Sequence, residues 1–334
     1  MKITSLILVL ISSITIYINY NVNFSYQIQR LLLEDFNSGN YREITTAKFN
    51  ALNTDIPSVT ITSIPIKHFI SRYHFLAGDY QKALSLIDEG FKDNPYLQLG
   101  NVLKAEYYEH LQVQDSMVYY ANLAFENSPK NIRHFLAKMK VVSIDDDINE
   151  LVKSYEIVKQ DKNKNFPLVF MSTLLTFEKI PDSIKLYVDE ITINFSNEID
   201  VKTARDMIYY GKENIEKSIE NSTDATQLFE EGKIDESLRK YLLASQFNPE
   251  EYTNFENIGL IYNLKKEYKK AIPFLKKVID SQIRPIPPNG KSELILGESY
   301  LNLGVKDSAC YYLDLSKNYN NKNAFKLHAQ NCNN

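Results

Sequence analysis

Three groups of residues in this 334-residue chain are of types that could do chemistry: the triplet Gly290-Lys291-Ser292, five histidines and two cysteines. The triplet has the ending of a phosphate-binding loop, in which backbone N–H groups and a lysine cradle a polyphosphate. That motif needs a glycine five residues before its second glycine and an apolar strand leading into it. Pro285 holds the glycine's place and no such strand precedes it, so the triplet reads as a glycine turn opening a helix. His68, His74, His110, His134 and His328 never fall at the four-residue helical spacing that sets two imidazoles on one metal ion. No metal site is expected. Serine-hydrolase chemistry would need a G-x-S-x-G elbow, which is absent, and Glu230-Glu231 and Glu250-Glu251 sit at helix ends, where solvated carboxylates are ordinary. The expectation is a protein that is not an enzyme and takes no cofactor.

The elements that would have to position such groups are helices. The chain is 44% apolar and 24% charged, an ordinary globular balance. It has only ten glycines and eleven prolines, and strand-like alternation is hard to find. Its net charge of −4 leaves no basic stripe for nucleic acid.

The stretch Glu251 to Asp280 contains a whole structural unit. Phe255, Ile258, Gly259 and Tyr262 recur at helical spacing, followed by Ala271 and Leu275 on a second helix. Gly259 and Ala271 are small enough to let two backbones approach, while Tyr262 and Leu275 fill the space beside them. Similar units recur with a period of 34: Ser71 to Ala105, Pro95 to Pro129, and Ala225 to Gly259. Gly259 to Gly297 is longer, at 38, because the rigid connector Ile283 to Gly290 inserts four residues. Between Ile132 and Glu220 the signature decays, although helical patterning persists over 135–142, 148–158, 168–177, 184–193 and 201–219. Asp145-Asp146-Asp147 would cap the helix that follows. Near the start, a helix over 26–36 and another over 41–52 make a degenerate hairpin, and 56–65 reads as an extended connector. A final helix near 323–331 would cap the array, because a terminal repeat has only one neighbour.

Ile3 to Ile18 is an uncharged, mostly apolar run, with Tyr17 and Tyr20 where interfacial aromatics sit. No A-x-A-like cleavage site follows, so the run reads as an uncleaved anchor; secretion after cleavage is the alternative. Lys2 precedes it and the next basic residue is Arg30, which by the positive-inside rule leaves the body outside the cytoplasm. The expected organisation is a transmembrane signal-anchor over 1–22, hairpins over 23–131, degenerate helical repeats over 132–217, and hairpins with a capping helix over 218–334.

On these residues the chain resembles the tetratricopeptide repeat family, with Phe255 where that family usually has Trp. The resemblance implies an all-α fold, a superhelix (α-solenoid) of helical hairpins whose concave side takes peptides or helices of other proteins. Carried over position by position, it puts His68, Arg72, Phe75, Glu106, Glu109, Glu256, Leu260 and Asn263 in a partner-binding groove. The Lys/Asn set that holds a terminal carboxylate in chaperone-binding members is absent, with Glu256 and Leu260 in those places. A narrower likeness runs through Ser63 to Lys67, Tyr73, Gly78-Asp79-Tyr80, Asn94-Pro95-Tyr96 and Asp115-Ser116. Together with the anchor it is similar to the periplasmic repeat tails of O-antigen ligase-like membrane proteins of the Bacteroidota. It implies a single-pass protein of a bacterial inner membrane with its body in the periplasm. The first functional expectation is therefore a membrane-anchored scaffold for protein–protein interaction. The alternative is an accessory or relic of surface-polysaccharide assembly without a catalytic site of its own.

Cys310 and Cys332, the only cysteines, both lie near the C-terminus, in the last hairpin and at the end of the cap helix. Outside the cytoplasm a disulfide between them is permitted and would fasten the weakest end of the array. Two buried free thiols are the alternative.

Overall fold

The computed structural model describes residues 3–50, 52, 54–281 and 289–332. The described residues form eighteen α-helices, and a single isolated bridge, Val59 to Pro65, is the only β pairing among them. The architecture is all-α and built of helical hairpins, as the resemblance implies. The chain divides into two compact units, residues 1–161 and 162–334.

The first unit holds α1 (Ile3–Ser38), α2 (Glu43–Phe49), α3 (Ile66–Leu76), α4 (Tyr80–Asp93), α5 (Leu99–His110), α6 (Gln114–Asn127), α7 (Ile132–Asp145) and α8 (Ile148–Val158). At 36 residues, α1 is one unbroken helix about 54 Å long. It alone among the described helices is long and apolar enough to cross a membrane. Its large side chains from Leu6 to Tyr20 are exposed on every face. From Ser25 onward a single stripe, Ser25, Ile28, Gln29, Leu32 and Asp35, turns inward. There Ile28 and Leu32 pack with Phe49, Ile66, Phe69, Ile70 and Tyr73. Asp35 locks the arrangement by accepting hydrogen bonds from Tyr73 Oη (2.6 Å), Arg42 N (3.1 Å) and Arg42 Nε (2.5 Å). Burial pushes the Asp35 carboxyl up, and the bonds from Tyr73, Arg42 and Thr45 outweigh it and hold it below the usual carboxylate range.

The second helix is shorter than its sequence pattern predicts, ending at Phe49 rather than near Leu52. The connector after it folds into a turn, in which Thr60 N donates to Ile64 O at 2.8 Å. The pairs α3/α4, α5/α6 and α7/α8 are the expected hairpins, and successive helices pack on one another. Asp147 opens α8 by accepting from the backbone N–H groups of Asn149 and Glu150, each at 3.0 Å.

The second unit holds α9 (Asn165–Leu174), α10 (Asp182–Asn194), α11 (Ile199–Tyr210), α12 (Lys212–Glu230), α13 (Ile234–Phe247), α14 (Tyr252–Leu264), α15 (Tyr268–Asp280), α16 (Lys291–Asn302), α17 (Lys306–Asn318) and α18 (Lys322–Asn331). Patterning predicts one helix over 201–219, and the structure corrects this. Gly211 (φ 87°, ψ 142°) breaks the run, a backbone conformation that only glycine adopts without strain. The helix on its far side, α12, is 19 residues long and packs along α13. A Cβ at Gly259 would lie 2.5 Å from Leu275 Cγ, so the space between α14 and α15 is filled by Leu275 against bare backbone. The proline connector falls largely on residues outside those described. At the end of the unit α18 packs on α17, and a disulfide joins Cys310 to Cys332, with Cα atoms 5.6 Å apart.

Candidate functional site

In the first unit α3 packs on α5 and α5 on α7. Charges pair across these contacts: Arg72 Nη1 to Glu106 at 2.9 Å, and Lys140 Nζ to Glu109 at 2.5 Å. The Arg72 guanidinium also lies 5.6 Å from the Phe75 ring centroid and 5.7 Å from that of Tyr107. Arg133 sits over Phe36 at 4.7 Å. The result is a partly exposed ribbon of alternating charge with aromatic backing, a surface that can recognise a charged or amphipathic segment.

Three of the residues that the resemblance puts in a groove, His68, Phe75 and Glu256, are buried. His68 is fully buried: its Nε2 lies 3.2 Å from Ile87 O, and its ring packs against Gly90, Gly100 and Phe91. Burial lowers its pKa to about 4. Phe75 is buried too, stacked on Tyr107 with centroids 4.0 Å apart. In the second unit Glu256 is enclosed, ion-paired with Lys291 at 2.8 Å and accepting from Ser292 Oγ at 2.6 Å. That pairing also gives two members of the glycine-lysine-serine triplet a structural role. Leu260 is half-buried against the Ala271, Leu275, Ile295 and Leu296 cluster. Asn263, also half-buried, donates to Ser299 Oγ at 2.8 Å. The physical reason is shared: a first helix packs on the next first helix as well as on its own partner, and these side chains are used there. Arg72, Glu106 and Glu109 are left as the surface members of the expected set.

Sequence reasoning missed a cleft of about 470 Å³ in the second unit, lined by α11, α12 and the start of α14. Lys202 and Glu251 meet in its wall at 2.5 Å, with Asp206 3.8 Å from Lys202. Burial raises the Asp206 pKa. Behind this wall Arg205 bonds Asp189 (2.8 Å), Asp206 (3.2 Å) and Glu250 (2.5 Å), and Asn248 donates to Asp206 at 2.8 Å. A second cleft, about 520 Å³, opens on the other side of Arg205, near Lys277, Phe255 and Asp280. No spacing rule reaches these partners, because Asn248 and Asp206 are 42 residues apart. The one available signal was Gly211, the break that separates α11 from α12. Among the described residues no group of three or more His, Cys, Asp or Glu side chains could hold a metal ion.

No protein-family model matches the chain, and no curated protein matches it significantly. Solved structures with a similar course of helices include a thermophilic TPR protein of Thermus thermophilus (14% identity, covering 79% of this chain and 96% of that one, TM-score 0.26). A tetratricopeptide repeat protein from Parabacteroides merdae matches at 10% identity over 93% of this chain and all of that one, with a TM-score of 0.30. The type IV pilus biogenesis factor PilW matches at 15% identity over 78% of this chain and 96% of that one, with a TM-score of 0.29. Scores this low give no superposition of whole chains, and the hairpin fold rests on the helices described above.

Proposed function

We propose that the chain is a membrane-anchored scaffold that displays helical hairpins to a protein partner outside the cytoplasm. The observation that carries this reading is α1. Between Leu6 and Tyr20 its large apolar side chains are exposed on every face, which in water would be an exposed patch far larger than soluble proteins tolerate. The same helix then continues without a break into the core of the first unit, so the segment that needs lipid is joined directly to the segment that needs protein. The partner surface favoured here is the α3–α5–α7 ribbon around Arg72, Glu106 and Glu109. Its charges are half-exposed and paired with each other, and a partner could exchange those pairs.

Two measurements test the two halves separately. Alkaline phosphatase fused after Asn334 is active if the body lies outside the cytoplasm; an inactive fusion beside an active cytoplasmic reporter refutes the topology. Affinity capture from detergent extracts, comparing the wild type with the double charge reversal Arg72→Glu and Glu106→Lys, tests the ribbon. An unchanged set of partners eliminates this face.

A further inference from the structure

We propose that the cleft between α11, α12 and α14 is a binding site for a neutral saccharide presenting vicinal hydroxyl groups. This inference does not depend on the anchor or on the α3–α5–α7 ribbon. The cleft volume, about 470 Å³, is within the ordinary range for small-ligand sites. Its lining mixes hydroxyl and amide side chains with Ile199, Ile215, Ile219 and Tyr252, and apolar atoms make up the larger part of its surface.

Two observations set the chemistry. The first is hydrogen-bond polarity. Thr203 Oγ1 donates to Ile199 O and Thr223 Oγ1 to Ile219 O, both at 2.9 Å, so these hydroxyls have spent their protons on their own helices and can only accept. Lys202 is engaged by Glu251 and Asp206, and those carboxylates also accept only. These groups offer acceptors, and Lys202, the only cation in the lining, is paired, which suits a ligand rich in O–H donors and without a negative charge. The second observation is Asn254. It lines the cleft, is fully buried, and has no hydrogen-bond partner for either Nδ2 or Oδ1. Buried side-chain amides are nearly always paired. An amide with both its N–H groups and its carbonyl oxygen open matches a vicinal diol, in which one hydroxyl donates to Oδ1 while its neighbour accepts from Nδ2 once the wall over Asn254 shifts to admit them. An extended peptide is the competing occupant. It presents one N–H per residue on alternate sides, fewer donors to one wall than a polyol brings.

The test is isothermal titration of the full chain, held in a detergent without a sugar headgroup. The probes are methyl glycosides of glucose, galactose and mannose at millimolar concentration and, separately, a neutral capped peptide of Ala, Thr and Ile. The expected result is binding of at least one glycoside and not of the peptide, with affinity at least tenfold weaker in Asn254→Leu. The melting temperature of unliganded Asn254→Leu should be equal to or above that of the wild type, because the substitution removes an unpaired amide. A wild type that binds no glycoside, one that binds the peptide instead, or an Asn254→Leu variant that binds as the wild type does would each overturn the proposal. A second variant, Thr223→Val, keeps the side-chain shape and removes an acceptor. It should also weaken glycoside binding, and unchanged affinity there would refute the assigned hydrogen-bond polarity.

Discussion

Gly259→Ala should destabilise the second unit, against the rule that alanine favours a helix interior. Helix propensity alone predicts a gain of about 1 kcal/mol. The structure sets a larger opposing cost. The new Cβ would lie 2.5 Å from Leu275 Cγ and 2.6 Å from Leu275 Cδ2, where carbon–carbon contacts prefer about 3.5–4.0 Å. Leu275 has nowhere to retreat, since it is fully buried among Ala271, Ile295 and Leu296. Overpacking of this kind costs about 1–3 kcal/mol, and an overlap of roughly 1 Å on a branched carbon belongs at the upper end, leaving a net loss of roughly 2 kcal/mol. The discriminating measurement is the same substitution in a Leu275→Ala background. Leu275→Ala alone opens a cavity at a cost of about 2–5 kcal/mol. With the isopropyl group gone the three atoms nearest the added methyl are removed, so Gly259→Ala should there become stabilising by about 1 kcal/mol. The readouts are urea unfolding and hydrogen exchange of α14 and α15, because repeat arrays need not unfold in one step. A Gly259→Ala protein that is more stable than wild type, or two substitutions whose effects simply add, would refute the close-packing argument. Gly297→Ala, whose Cβ would be 2.8 Å from Leu313 Cγ, should show the same sign with a smaller cost.

Burial holds His68 neutral, with its pKa lowered from 6.5 to about 4. The unfolded chain takes up that proton first on acidification, so the contribution is complete above pH 6.5 and is lost as pH falls toward 4, to about 3 kcal/mol by linkage. His68→Phe should flatten the stability profile across that window; a slope identical to wild type would mean that His68 is not held neutral. The Cys310–Cys332 bridge closes a sequence separation of 22, for which chain entropy gives roughly 3 kcal/mol. Reductant should lower the melting temperature of the wild type and leave Cys332→Ser unaffected, and two free thiols in protein from its native compartment would exclude the bridge. Asp35→Asn removes a charged acceptor shared by Tyr73 and Arg42, and should loosen α1 from α2 and α3 at a cost of roughly 2 kcal/mol. Limited proteolysis around Gly39 should accelerate, and an unchanged cleavage rate would show that apolar packing alone holds the helix.

The hairpins were legible because their packing rule is local. A small residue at Ala105, Ala225, Gly259 or Gly297 faces the second helix of its own pair, and a spacing of 34, or of 38 across the proline connector, shows it. The decayed middle was read correctly as helical from periodicity, yet the break at Gly211 was not visible. One glycine among helix-forming neighbours is compatible with either an uninterrupted helix or a positive-φ break, and only tertiary packing decides. The placement of the proposed binding face was less legible for the same reason. Register within one repeat assigns a direction to His68, Phe75 and Glu256, but their burial depends on residues 22 to 36 positions away, such as Gly90, Tyr107 and Ser292. The cleft around Asn254 is least legible of all, since its walls come from α11, α12 and the turn before α14, whose approach follows from the break at Gly211.

A change of pattern within α1 joins the fold to the proposed placement. From Leu6 to Tyr20 apolar side chains point in every direction, a pattern stable only where the surroundings are apolar on all sides. From Ser25 to Asp35 the buried positions follow the i, i+3, i+4, i+7 rhythm of a helix with one face on protein and the other in water. Nothing that breaks helices lies between the two patterns: residues 19–24 read Asn-Tyr-Asn-Val-Asn-Phe, without glycine or proline, and the helix runs through them. Bending there would open backbone hydrogen bonds of the helix, and the Asn21 side chain is itself engaged with the helix, donating to Tyr17 O at 2.8 Å. If the apolar half lies in a bilayer, the first unit cannot swing on a tether. It is carried on a stiff rod whose last turns are part of its own core, clamped by Asp35, and the direction in which the α3–α5–α7 ribbon faces is then set by the angle at which that rod leaves the membrane.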